Sequence, residues 1–437
     1  MDNDEQFFGR WVPSARPPLK PLVNREAIAQ SRGAARCTRC GNWLTVTDQL
    51  PNGARYCRQC LQLGRLTTHH KLYTIPEPNQ FPRMTESPLT WSGQLKPQQV
   101  VAATAVRKLA AAKKNQLLWA VTGAGKTEIL YPALAWALQQ GWRVAWASPR
   151  VDVCLELAPR LARAFAGVSQ AVLHGKQEQP YTYRQLTICT THQLLRFQAA
   201  FDWLIVDEVD AFPLTTSPML QRAVKQAQKP SGSHIFLTAT PGPHLQKLVA
   251  QRKIAVTYVP LRYHGYLLPQ MMVHLSWQWR QHLLKGRLPG HLVRQLRGYQ
   301  QIGQRFLLFV PHVADLAPIA AALAQAGVVG GVTVHAADPE RTAKVQAMRD
   351  ERCQFLVTTT ILERGVTFPN VAVVILGGDE AVFSTAALVQ IAGRAGRHAA
   401  HPRGEVTCYC QSQSRTIQQA RAMIGHLNRQ GRQQGGQ

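Results

Sequence analysis

From Trp91 onward the chain alternates short, almost wholly apolar runs with longer helical stretches. The runs are Gln116 to Val121, Arg143 to Ala147, Leu186 to Cys189, Trp203 to Val206 and Ile235 to Thr238. Runs this short, without polar alternation, suit parallel strands buried on both faces. Helical segments such as Lys126 to Gln140 separate them. A β-α-β series closes as a parallel sheet covered by helices on both sides. A second series begins near Arg305, with strands expected over Arg305 to Val310, Val332 to His335, Phe355 to Thr359, Ala372 to Leu376 and Val406 to Cys410. The expected class is α/β: two doubly wound parallel-sheet domains, over 91–245 and 305–437, joined by a connector over 246–304. A length of 437 residues leaves room for two cores and an appendage.

The first strand runs into Ala120-Val121-Thr122-Gly123-Ala124-Gly125-Lys126-Thr127, which opens a helix. Glycines let backbone N–H groups face phosphates with no Cβ in the way, and the helix N-terminus adds its dipole. Thr122, Gly123, Ala124 and Gly125 are the expected cradle for ATP, with Lys126 on the β- and γ-phosphates and the Thr127 hydroxyl on Mg²⁺. Asp207-Glu208-Val209-Asp210 follows the strand ending at Val206. Asp207 is expected to hold Mg²⁺ and Glu208 to orient and deprotonate the attacking water. In the second half, Gln390-Ile391-Ala392-Gly393-Arg394-Ala395-Gly396-Arg397 would put Arg394 and Arg397 on one face if helical. An arginine brought to the γ-phosphate from a facing lobe is worth on the order of 10³ to 10⁵ in rate.

Ahead of these lie Cys37-Thr38-Arg39-Cys40 and Cys57-Arg58-Gln59-Cys60. Two C-x-x-C pairs at this separation match a four-thiolate zinc ribbon or knuckle, closed and structural. A redox pair is the rival reading. Cys154, Cys189, Cys353, Cys408 and Cys410 read as core. The expected front is a loose basic arm over 1–35, a zinc module over 36–75 and a Pro-rich linker from Ile75 to Pro88.

Charge points to a polyanion. The formal balance is +26, and no Asp or Glu occurs between Asp210 and Asp315. That stretch interleaves basic residues with Tyr258, Tyr263, Tyr266, Trp277, Trp279 and Tyr299, which suits single-strand phosphates and bases. A solvated connector with its aromatics in the core is the alternative. No apolar run reaches the roughly 18 residues of a membrane span, and the acidic start Met1-Asp2-Asn3-Asp4-Glu5 lacks a signal core. A cytoplasmic protein is expected.

The order of these motifs resembles superfamily 2 helicases, with two tandem RecA-like domains, over roughly 91–410. The resemblance implies that Gln99, in Leu95-Lys96-Pro97-Gln98-Gln99, reads adenine. It implies strand contacts from Ser148-Pro149-Arg150 and from Thr190-Thr191-His192-Gln193. Thr238-Ala239-Thr240 would couple hydrolysis to lobe movement. In the segment Thr359 to Thr367, Thr359 and Thr360 would touch the strand backbone and Gly365 would lie near the nucleotide. A four-cysteine module before both lobes is similar to the ComFA family of competence ATPases. That resemblance implies hydrolysis stimulated by single-stranded DNA and a role in pulling transforming DNA inward. It also implies other competence proteins as partners at the uptake channel, at the inner face of the membrane, with a homo-oligomer left open. Replication-restart helicases share the lobes but place their cysteines between or after them. An RNA helicase and a zinc-ribbon binding protein without turnover are the remaining alternatives.

Overall fold

The computed structural model describes residues 4–18, 20–31, 34–175, 180–364, 366 and 368–436. The chain divides into two compact units, residues 1–119 with 126–258, and residues 120–125 with 259–437.

The first unit opens with two small antiparallel sheets. One joins β1 (Val12–Ser14), β2 (Val23–Glu26) and β6 (Lys71–Thr74); the other joins β3 (Ile28–Ser31), β4 (Ala34–Cys37) and β5 (Trp43–Leu44). The main sheet follows, with β7 (Gln116–Ala120), β8 (Val144–Ser148), β9 (Gln170–Leu173), β10 (Leu186–Thr190), β11 (Phe201–Val206), β12 (Gln228–Thr238) and β13 (Ala255–Val259). Their order is β13-β7-β12-β11-β8-β10-β9. The helices are α1 (Pro97–Ala111), α2 (Lys126–Gln139), α3 (Val151–Ala164), α4 (Pro218–Ala227) and α5 (Pro243–Ala250). Every residue of β8, β10 and β11 is buried, as strands covered on both faces require. Helix starts follow local chemistry: Pro218 opens α4 and the Ser217 hydroxyl accepts the Leu220 N–H.

The second unit has a six-stranded sheet of β14 (Met271–Leu275), β15 (Arg305–Phe309), β16 (Gly331–Val334), β17 (Phe355–Thr358), β18 (Val371–Leu376) and β19 (Val406–Cys410). All its pairings are parallel, in the order β14-β19-β18-β15-β17-β16. Its helices are α6 (Trp279–Leu284), α7 (Gly290–Gln301), α8 (Leu316–Gln325), α9 (Arg341–Arg349), α10 (Thr385–Ala392) and α11 (Arg415–Gln433). The terminal α11 buries Ile417, Ala420, Ile424 and Leu427, a stripe at helical spacing. The fold class is thus two RecA-like parallel-sheet domains with a four-cysteine cluster in front.

Three segments differ from expectation. The arm over 1–35 is not loose where it is described. Phe8 and Trp11 are buried, and the Trp11 N–H donates to the Arg196 carbonyl at 2.7 Å. The Pro-rich linker is likewise pinned, through Glu77 and Asn79. The stretch over 246–304 is no free connector: α5 and β13 belong to the first sheet's surroundings, while β14, α6 and α7 build the second unit. Trp279 and Tyr299 are core residues there, whereas Trp277 is 74% exposed. Edge strands such as β13 and β14 are short and carry polar positions, so their periodicity gives little signal.

Arg143 holds the front of the chain to the first sheet. Its guanidinium donates to the Glu77 carboxylate, to the Phe8 carbonyl at 3.1 Å and to the Tyr181 hydroxyl at 2.5 Å. Glu77 also accepts from the Tyr183 hydroxyl. The two charged side chains are 0% and 1% exposed. Beside them Asp202 accepts from Asn79, from the Arg143 backbone and from Lys229. Removing one partner of such a pair leaves a buried, uncompensated charge. We therefore expect Arg143→Met to cost about 3–5 kcal/mol in chemical denaturation, with Arg143→Met/Glu77→Gln recovering part of the loss. A single variant within about 0.5 kcal/mol of wild type would show that the pair does not anchor the front segment.

Candidate nucleotide and metal sites

In the first sheet the sequence motifs emerge where strands end. Lys126 and Thr127 open α2 after the loop that follows β7. Pro149 and Arg150 follow β8, Thr191 follows β10, Asp207 follows β11, and Ala239 and Thr240 follow β12. Ligands of open α/β sheets bind outside the carboxyl ends of the strands. Lys126, Thr127, Asp207 and Glu208 are half-buried.

The loop over 120–125 takes the conformation its glycines allow, with Gly123 at φ +84° and Gly125 at φ +76°. It is held within the second unit. The Val121 N–H donates to the Val259 carbonyl at 3.0 Å and the Tyr263 N–H to the Gly123 carbonyl at 2.9 Å. The Thr122 hydroxyl donates to Gln390 Oε1 at 3.0 Å. Left-handed glycines of this kind are what a phosphate-binding loop uses. Thr127 and Asp207 carry hydroxyl and carboxylate oxygens, the donor type a hard cation such as Mg²⁺ takes.

At the end of β11 the Asp207 carboxylate accepts the Glu208 N–H at 2.8 Å. Glu208 itself lies at φ +51°, a left-handed backbone that is uncommon for this residue type. Asp210 accepts hydrogen bonds from both the Thr238 and Thr240 hydroxyls. The acidic tetrad and the threonine motif are thus one hydrogen-bonded group. Their spacing in sequence gives no sign of this link, which needs β11 and β12 side by side.

Not every expected residue offers its side chain. Gln99 is 4% exposed and its Oε1 accepts the Lys96 N–H at 2.9 Å, capping α1. Thr190 and Thr191 are buried at 4% and 0%, and Pro149 is buried, whereas Arg150 is half-exposed. Thr359 and Thr360 are half-exposed after β17. Gly365 and Thr367 lie outside the described residues. The two arginines of the last motif do not share a helix face, because α10 ends at Ala392 and Gly396 turns the chain at φ +64°. Arg394 is 2% exposed and donates to the Glu363 carbonyl at 3.0 Å. Arg397 is half-exposed, with its Nε on the Gly393 carbonyl at 3.1 Å. In sequence Arg262 is one cation of the basic stretch between Asp210 and Asp315. It is fully buried, donates to the Gly396 carbonyl at 2.5 Å, and its stem lies against Gly123. Burial, then repulsion from Arg397, lowers its pKa to about 9. A composition pattern cannot separate such a residue from solvated neighbours.

The four cysteines of the front module converge. Cys37 and Cys40 end and follow β4, while Cys57 precedes and Cys60 lies within the 3₁₀ turn Arg58–Leu63. All are buried, with their sulfurs within 4.8 Å of one another. The Cys37–Cys60 and Cys40–Cys57 sulfur separations are 3.8 and 3.5 Å. Zinc bonded to sulfur at about 2.3 Å in a tetrahedron sets edges of about 3.8 Å, so the group fits the ion. Hydrogen bonds from the other three thiols hold Cys37 far below the ordinary thiol range, and Cys37 in turn pushes Cys40 and Cys57 up. A bound dication relieves that conflict by accepting all four as thiolates. Arg39, fully buried, donates to Cys60 Sγ at 3.4 Å and to the Cys60 and Gly64 carbonyls.

These features define a class, the ATP-hydrolysing superfamily 2 helicases. The chain matches the DEAD/DEAH box helicase family over residues 97–248 and the helicase conserved C-terminal domain over 289–399. It is 37% identical to the competence protein ComFA of Bacillus subtilis over 93% of this chain and 88% of that protein. It is 38% identical to ComFA of Streptococcus pneumoniae over 92% and 93%. The chain belongs to the ComFA family. A structure of S. cerevisiae Dbp5 bound to RNA and ADP BeF3 shares the fold at a TM-score of 0.52 and 15% identity, over 76% of this chain and 91% of that one. Among the described residues no helix is long and apolar enough to cross a membrane.

Two outcomes follow. Cys57→Ala is expected to lose about one zinc per chain and to become protease-sensitive in the front module, while ATP binding survives; full metal content in the purified variant contradicts this. Thr238→Val/Thr240→Val is expected to leave nucleotide affinity within about twofold and lower nucleic-acid-stimulated turnover by about tenfold or more, since Asp210 loses two donors. Unchanged stimulation would show that this link does not carry coupling.

Proposed function

We propose that this chain is an ATP-driven translocase on single-stranded DNA that draws transforming DNA inward during competence. The observation that carries the reading is the group at the ends of adjacent strands β7, β12 and β11, where Lys126, the threonine motif and Glu208 emerge and Asp210 ties two of the three together. Water attacks the γ-phosphorus, Glu208 takes its proton, and the bond to the bridging oxygen breaks, leaving ADP with the electron pair. Lys126 and Arg397 offset charge on the transferring group, while Arg394 positions the segment around Glu363. Thr127 and Asp207 hold Mg²⁺, and Cys37, Cys40, Cys57 and Cys60 hold Zn²⁺. Arg150, Thr359 and Thr360 are the strand contacts with half-exposed side chains; Pro149, Thr190 and Thr191 would contribute through backbone alone. Partners are other competence proteins at an uptake channel on the inner face of the membrane, with self-association as a further feature of the same reading.

The test is ATP turnover with single-stranded DNA, duplex DNA, RNA and no polymer. Stimulation by single-stranded DNA supports the proposal, and stimulation by RNA alone overturns it. Lys126→Ala is expected to lower turnover by about 10²–10³ or more while strand binding persists, as removal of one oriented donor does elsewhere. Wild-type turnover in that variant removes the phosphate loop from the reaction.

A further inference from the structure

The cysteine module carries a group of cations that neither the metal site nor the nucleotide site uses. Arg36 on β4 stands directly across from Trp43 on β5. Its guanidinium carbon lies 5.3 Å from the Trp43 ring centre, and its Nε donates to the Gly41 carbonyl at 2.8 Å. Gly41, at φ +83°, makes the turn after the first cysteine pair. A Cβ there would lie 2.3 Å from Arg222 Nη1 and 3.4 Å from Arg36 Nη2. One guanidinium from the module and one from α4 therefore converge on a single point.

Arg25 on β2 joins them. Its guanidinium sits 4.0 Å over the Trp11 ring, and its Nε and Nη2 are buried with no hydrogen-bond partner among the described residues. Burial, then repulsion from Arg222, lowers its pKa to about 10. In the module Asp48 is paired with Arg58 and Glu26 with Lys71; among the described residues no carboxylate pairs with Arg25, Arg36 or Arg222. Like charges gathered without a counter-ion repel one another and gain from an anion with several acceptor oxygens. Beside them Trp43 is 64% exposed, an open aromatic face.

We propose that the cysteine module and α4 form a second single-strand contact, in which Arg36 and Arg222 hold backbone phosphates, the half-buried Arg25 adds its positive charge behind them, and a base stacks on Trp43. The proposal rests on the single-strand reading above. An acidic protein would engage the charges, but the exposed indole next to them favours a base.

The experiment measures binding of fluorescent oligothymidylate to the full-length, zinc-loaded protein across a salt series. Trp43→Ala is expected to weaken binding about tenfold, and Trp43→Phe to retain most of the affinity. Arg36→Gln/Arg222→Gln is expected to lower the slope of log affinity against log salt by about 1.4, roughly 0.7 per lost phosphate contact. Zinc content and turnover without DNA stay at wild-type values. Arg222→Gln alone, outside the metal module, should lower the slope by about 0.7 and guards against misfolding of the double variant. Variants that bind as wild type with an unchanged slope overturn the proposal, as does loss of acidic-peptide binding with oligonucleotide binding intact. Wild-type protein that fails to bind oligothymidylate at all overturns the single-strand reading instead.

Discussion

Parallel strands buried on both faces can present chemistry only where they end, and that constraint organises this molecule. Every residue of β8, β10 and β11 is removed from solvent, so no side chain along them can meet a ligand. Arg150, Asp207, Glu208 and Thr240 all occupy positions just past the last residue of a strand, and Lys126 opens α2 beyond the loop that follows β7. The second unit repeats the rule, with Thr359 and Thr360 directly after β17. Motifs far apart in sequence become neighbours because the sheet order sets β7, β12, β11 and β8 side by side.

Hydrogen bonding then turns proximity into direct contact. Asp210 accepts from two hydroxyls of the segment that ends β12, so the acidic tetrad and that segment form one hydrogen-bonded group. The left-handed backbone at Glu208 places strain next to this link. In the second unit Arg394 does a comparable task by tying the last motif to the Glu363 carbonyl, which separates its part from that of the more exposed Arg397.

The front of the chain is not an independent appendage. One apolar cluster runs from Cys37, Cys40, Cys57 and Cys60 through Trp11 to Phe197, Phe201 and Leu204 of the first sheet. Arg143 and Glu77 close that junction with a buried ion pair whose remaining donors and acceptors are met by Tyr181, Tyr183 and the Phe8 carbonyl. A metal that orders the cysteines would therefore also order a surface packed on the first sheet. The cations left over at that junction, around Gly41, are the product of this packing and not of local sequence.

The sequence by itself determined the strand runs, the phosphate loop, the acidic tetrad and the four-thiolate cluster. Each depends on a local pattern: continuous apolarity for β11 and β18, glycines at left-handed positions for Gly123 and Gly125, and paired C-x-x-C spacing. The tertiary structure alone decided which polar residues are buried. Arg262, Arg305 and Arg143 look like other basic residues in sequence, yet each is buried because a carbonyl or carboxylate from a distant segment meets it. The edge strands β13 and β14 were equally hidden, since their place depends on which neighbour completes the sheet. Local propensity sees a few residues either way, whereas desolvation depends on everything that packs around a side chain, and only the folded chain fixes that.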